Sequence, residues 1–147
     1  MSLIPVHCVD FVSYGNSFMA RIITCNTNGI RAAARKGFFD WLQGEQADVV
    51  CIQETKAQLH QLADPVFSPA GYHCYYNDAV KPGYSGTALY SRVKPQRVTS
   101  SLGWDPLDSE GRYLQADFDK VSIASLLLPS GMKGDEDLNQ KFKFMDE

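Results

Sequence analysis

Four short segments hold the residues that could do chemistry in this 147-residue chain. The most informative is a β-branched run, Asp48-Val49-Val50-Cys51-Ile52, that ends abruptly in Gln53-Glu54-Thr55-Lys56. A continuous apolar run of this length reads as a strand covered on both faces. Glu54 then stands where that strand surfaces. In open α/β sheets, ligands gather beyond the carboxyl ends of such strands. A carboxylate followed two residues later by an ammonium could hold a cation beside an anionic ligand. Taken alone, the same pair reads as an ordinary surface ion pair. The other segments are Asn26-Thr27-Asn28-Gly29-Ile30-Arg31, Gly83-Tyr84-Ser85-Gly86 and Pro129-Ser130-Gly131. Singly these read as turns, because Asn-Gly and Gly-flanked pairs are turn chemistry.

The elements that must position these segments can be read from periodicity. Arg21 to Asn26 reads as a first strand. Ile30 to about Gly44 carries the i, i+3, i+4 spacing of a helix, weakened at Gly37 and stopped at Gly44. The strand Asp48 to Gln53 follows, so two strands flank a helix in a layered α/β arrangement. Gln58 to Ala63 reads as a short helix. Tyr72–Tyr76, Thr87–Tyr90 and Gln96–Ser100 read as strands, and residues 101–111 as a loop. Arg112–Phe118 and Val121–Leu128 read as paired strands across Asp119-Lys120, which makes the sheet mixed. After Gly131, Leu138, Phe142 and Met145 repeat at i, i+4, i+7 in an amphipathic helix. The chain ends inside that pattern, which reads as a fragment of a longer protein.

Composition sets limits on these readings. The length suits one domain with a sizeable core. The net charge of −3 excludes nucleic-acid binding by bulk charge, so such a partner would need a local basic patch or a bridging metal. None of Cys8, Cys25, Cys51 and Cys74 forms a C-x-x-C pair, so zinc-site spacing is absent. Cys25, Cys51 and Cys74 lie in strand-like runs and read as buried free thiols of a reducing compartment. No segment approaches the roughly 18 apolar residues of a membrane span. The first basic residue is Arg21, just after Met19. Residues 1–18 therefore read as a non-native or disordered extension without a role in the fold, with 19–147 as the domain.

The order and spacing of the four segments, with Glu110-Gly111-Arg112, closely resemble the exonuclease III family of DNA-repair nucleases, in the endonuclease/exonuclease/phosphatase superfamily. The resemblance spans residues 19–147 and about the first half of such an enzyme. It implies an α/β fold: half of a four-layer αββα sandwich of the DNase-I-like type, with a mixed, largely antiparallel sheet. The missing half would supply the second sheet, which would leave an apolar sheet face uncovered and open to self-association. The resemblance further implies magnesium- or manganese-dependent phosphodiester hydrolysis on double-stranded DNA, at abasic sites and 3′ ends, in a bacterial-type cytoplasm. Matching positions give Glu54 and Asn26 as metal site, with Asn26, Asn28 and Glu54 catalytic. Arg31, Lys36, Lys56 and Tyr84 fall at DNA-binding positions.

Two departures from the family pattern stand out. Leu127 occupies the usual place of a tyrosine, and it offers no hydroxyl. The later motifs are absent, namely a Gly-Asp-x-Asn segment that activates water and a terminal Asp-His pair. His7, His60 and His73 fit no such motif; His73 reads as a packing residue and His60 as exposed. Little turnover is therefore expected of this chain alone. Two other readings remain open at this stage. One is a phosphoesterase of another branch of the superfamily. The other is a non-catalytic DNA-binding or interaction module.

Overall fold

Two stacked sheets with helices against one of them form the architecture of this computed structural model, which describes residues 6–12, 19–131 and 134–146. The first sheet has the order β1-β2-β3-β5-β4. Its strands are β1 (Val6–Val12), β2 (Met19–Asn26), β3 (Val49–Gln53), β4 (His73–Asn77) and β5 (Thr87–Ser91). Only β2 and β3 run parallel; the other pairs are antiparallel. The crossover between β2 and β3 contains α1 (Ile30–Arg35) and α2 (Phe38–Glu45). A parallel pair needs such a crossover, which places helices on one face of the sheet.

Alternation along the strands sorts the core into two halves. Ile23, Cys25, Val50, Ile52, Ala88 and Tyr90 point to the helical face, where they meet Ile30, Ala33, Phe38, Phe39 and Leu42. Val49, Cys51 and Leu89 point the other way, onto Leu114 and Ala116 of a second sheet. That sheet has the order β6-β7-β8, from Arg97–Thr99, Tyr113–Asp117 and Ser122–Leu126.

The second sheet corrects an expectation. Three of its strands lie within this chain and cover a face of the first sheet that the sequence reading leaves bare. The physical reason is the alternation in Tyr113–Asp117. Leu114 and Ala116 are buried against the first sheet, while Tyr113, Gln115 and Asp117 stay half-exposed. Self-association through an uncovered first sheet therefore loses its basis.

Residues 6–12 also depart from expectation. They pair along β2 from Val6↔Cys25 to Val12↔Met19. An edge of β2 offers the backbone groups for this pairing. The rest of the expected extension, 1–5 and 13–18, lies outside the described residues. The single helix expected over Ile30–Gly44 is two helices. Gly37 breaks it at φ 82°, a left-handed conformation glycine adopts without penalty. Residues 101–111 hold one short turn, α3 (Asp105–Asp108), and His73 is exposed rather than packed.

The last helix, α4 (Asp135–Asp146), turns its apolar stripe outward. Leu138, Phe142 and Met145 are 38%, 53% and 65% exposed. None of the helices among the described residues is long and apolar enough to cross a membrane.

Cys25 and Cys51 are free and buried. Burial pushes both thiols up to about 12, and for Cys25 the neighbouring Cys51 adds to it. Thiolate is the reactive form. At pH 8 the folded protein should leave both unmodified by iodoacetamide for hours, whereas denaturant should expose both to rapid alkylation. Peptide mass mapping reads the result, and fast native modification of either would contradict the packing.

Candidate active site

The parallel register of β2 and β3 sets Asn26 opposite Gln53, so both strands surface side by side. The chain beyond each strand end is stitched to the other. Gly29 N donates to Glu54 O at 2.8 Å and Ile30 N to Thr55 O at 2.9 Å. The 83–86 loop closes the other side, where Thr55 N donates to Gly86 O at 3.1 Å and Lys56 N to Ser85 O at 2.9 Å. Gly86 has φ 83°, and a Cβ there would lie 2.3 Å from Thr55 Oγ1. The Gly-Tyr-Ser-Gly loop needs its last glycine to approach Thr55 this closely.

These backbone contacts hold strained residues in place. Asn28, Glu54, Lys56 and Ser85 have φ of 45°, 53°, 48° and 46°. Left-handed conformations in non-glycine residues persist where surrounding structure enforces them, and they concentrate at functional sites.

The side chains of Asn26, Asn28, Glu54 and Lys56 converge. Asn26 Nδ2 donates to Glu54 Oε1 at 2.7 Å, and Asn26 Oδ1 accepts from Asn28 N at 3.0 Å. Lys56 Nζ sits 2.9 Å from Glu54 Oε2 and donates to Asn28 Oδ1 at 2.5 Å. Partial burial works to raise the Glu54 pKa. The hydrogen bonds from Asn26 and Lys56, with the charges of Lys56 and Arg112, outweigh it and hold the carboxyl below the usual glutamate range. Glu54 is thus a fixed anion at a strand end, and its side chain is 29% exposed.

Beside this cluster lies an open hollow lined by Asn28, Gly29, Arg31, Ala32, Arg35, Lys56 and Gly83. Three cations on one concave surface suit an anion such as phosphate. The structure brings Arg31 and Lys56 together here. Lys36 is not among the lining residues; it is the exposed C-cap of α1. Arg35, not singled out from sequence, lies in the hollow instead, since it faces the same side of α1 as Arg31 four residues earlier.

Arg112 is a further residue of the candidate site, and sequence reasoning gave it no role of its own. Its side chain is only 6% exposed. Nε donates to Glu110, Nη1 to Leu127 O at 3.2 Å, and Nη2 to the Tyr84 hydroxyl at 3.1 Å. The guanidinium also lies over the Tyr84 ring, 5.9 Å from its centroid. Arg112 therefore fixes Tyr84 and adds positive charge near Glu54. Leu127 takes part through its backbone: its carbonyl accepts from Arg112 and its N–H donates to Arg112 O at 2.9 Å. The available signal was Glu110-Gly111-Arg112, a charged pair around a glycine at the mouth of a strand.

Among the described residues, no three His, Cys, Asp or Glu side chains cluster to hold a metal. A protein-only cage is therefore absent from them. One partly exposed carboxylate braced by an amide fits a different mode. A hard divalent cation such as Mg²⁺ keeps most of its waters, takes one or two carboxylates, and completes its shell with substrate phosphate oxygens.

Comparisons with known proteins bear on the family and the fold. The sequence profile of the Endonuclease/Exonuclease/phosphatase family matches residues 23–134. The chain is 38% identical over 125 residues to an exodeoxyribonuclease of Bacillus subtilis, covering 84% of this chain and 48% of that protein. It is 33% identical to the DNA repair nuclease APEX1 of Danio rerio, covering 82% and 39%. Among solved structures, an AP endonuclease from Archaeoglobus fulgidus superposes with a TM-score of 0.73 at 28% identity, covering 85% of this chain and 48% of that one. The chain spans about half or less of the length of these relatives.

Proposed function

This chain belongs to the endonuclease/exonuclease/phosphatase family, and from that premise we propose that it carries the metal- and phosphate-holding part of a DNA-repair nuclease site. The carrying observation is the Asn26–Glu54–Lys56–Asn28 cluster opening onto the cationic hollow of Arg31 and Arg35. Glu54, braced by Asn26, holds Mg²⁺ or Mn²⁺. The metal supplies Lewis acidity and neutralises charge that develops on a phosphodiester. Arg31, Arg35 and Lys56 seat the DNA backbone, and Tyr84, fixed by Arg112, borders the strand path. Substrates of the class suggested by the relatives are duplex DNA with abasic sites and DNA 3′ ends.

Catalysis needs a group to activate water, and the clustered side chains do not provide one. Glu54 is an anion already engaged by Asn26 and Lys56. Loss of general acid–base help slows such reactions by roughly 10²–10⁴-fold. The purified chain should therefore nick an abasic-site duplex only with Mg²⁺, at a rate lower by about that factor than a full-length relative such as the Bacillus exodeoxyribonuclease. It should leave a soluble phosphomonoester untouched. Preferential phosphomonoester hydrolysis, or nicking that persists in EDTA, would sink this reading. Leu127 favours one alternative, because a leucine side chain cannot bond a phosphate. DNA binding that survives metal removal without any cleavage would point to a non-catalytic binding module.

A further inference from the structure

Lys56 occupies an unusual place. Its ammonium sits between two oxygens, Glu54 Oε2 at 2.9 Å and Asn28 Oδ1 at 2.5 Å. Its backbone is pinned on one side by Ser85 O and held at φ 48°. The same side chain also lines the hollow with Arg31 and Arg35. It therefore borders two environments, an anionic cluster and a cationic basin.

We propose that Lys56 is a resident cation, whose ammonium fills the position between Glu54 and Asn28 until a divalent metal takes it and releases Lys56 into the Arg31–Arg35 hollow. This rests on the reading of Glu54 as metal ligand. Magnesium bonds its oxygens at about 2.0–2.1 Å. Glu54 Oε1 is already engaged by Asn26, so Oε2 is the oxygen left for the metal, and Lys56 now holds it. An ammonium and a divalent ion on one carboxylate oxygen repel strongly at such range. The backbone straps hold residues 54–56 from both sides, so the long Lys56 stem is the part that can move. Released, the ammonium that Glu54 had neutralised is free to pair with a phosphate in the hollow it already lines. Metal loading and phosphate capture are thereby coupled, and coupling of this kind is reciprocal. Asn28 matters to the switch: its neutral amide oxygen holds Lys56 less firmly than a carboxylate would.

The test uses the whole chain and Mn²⁺ as probe, with affinity measured by electron paramagnetic resonance. Lys56→Met should bind Mn²⁺ about tenfold more tightly than the unaltered chain. Arg31→Gln removes a charge from the hollow without touching Glu54, and should change affinity by less than about threefold. A second readout needs no variant. Addition of Mg²⁺ should raise the rate at which an amine-acylating reagent modifies Lys56 several-fold, with exposed Lys36 as the unchanged reference. If the unaltered chain binds Mn²⁺ but Lys56→Met binds no more tightly, the displacement is wrong while the metal reading of Glu54 stands. Equal tightening by Arg31→Gln, or no Mg²⁺-induced rise in Lys56 acylation, overturns it in the same way. Absence of Mn²⁺ binding by both proteins overturns the metal reading and this inference with it.

Discussion

Gly111→Ala is expected to destabilise the protein by about 4 kcal/mol, the upper range for one methyl group. A Cβ at residue 111 would lie 2.5 Å from Asn77 O, 2.8 Å from Asp78 C and 2.9 Å from Asp78 O. All three are backbone atoms, so no side-chain rotation relieves the clash. The neighbouring chain is also held: the Asn77 amide donates to Ser100 O and Tyr113 O, each at 2.9 Å. On the other side, Thr87 Oγ1 donates to Gly111 O at 3.0 Å. Residue 111 has φ 60°, and a left-handed alanine adds about 1 kcal/mol of strain. Gly103→Ala gives the internal standard. It carries the same kind of backbone, at φ 79°, but opens onto empty space. It should cost only about 1 kcal/mol. Urea midpoints at constant slope measure both, and equal losses at the two positions would refute the close approach. Any shift that accommodates alanine at 111 also moves Arg112, and with it Tyr84.

Glu54→Gln should do the reverse, sparing the fold while removing the chemistry. Glutamine keeps the shape and can still accept from Asn26, so the structural loss is the partly exposed pair with Lys56. Solvent screening limits that to less than about 1 kcal/mol. Loss of the charge should weaken Mn²⁺ binding at least roughly 100-fold, beyond what altering a supporting residue does. Metal-dependent nicking should fall on the order of 10²–10³-fold. The pH dependence has a defined sign. Glu54 has a depressed pKa in the folded chain, so the anion survives as pH falls through the ordinary glutamate range. Its contribution to stability is complete above the unfolded value and lost only as pH falls through the lower folded value. Mn²⁺ binding should accordingly persist below pH 4.5, the ordinary value for a glutamate. A variant that binds Mn²⁺ as well as the unaltered chain would remove Glu54 from the site.

Residues near strand ends were legible in the sequence because strand ends are. The apolar run into Glu54 and the Asn-Gly turn after β2 both announce where backbone surfaces, and the parallel register brings Asn26 to Glu54. Arg112 was not legible, since its role depends on β7 starting beside the 83–86 loop. That is a long-range fact no local pattern carries. Lys36 and Arg35 differ by one position, which on a helix is a rotation of about 100°. A short helix broken at Gly37 gives too few turns to fix that phase. The second sheet was missed for another reason: the alternation in β7 was visible, but its partner surface was not.

Of the five non-glycine residues with left-handed backbone among the described residues, four belong to the candidate site, Asn28, Glu54, Lys56 and Ser85, and the fifth is Gln46. The chain keeps its least comfortable conformations where its candidate chemistry sits. Glycine would relax the strain at positions 54, 56 and 85, whereas asparagine at 28 already tolerates it better than most residues. Selection for heat resistance alone would therefore favour glycine at these positions and erase the carboxylate and the ammonium first. At positions 54, 56 and 85 of this loop pair, durability and the proposed chemistry pull in opposite directions.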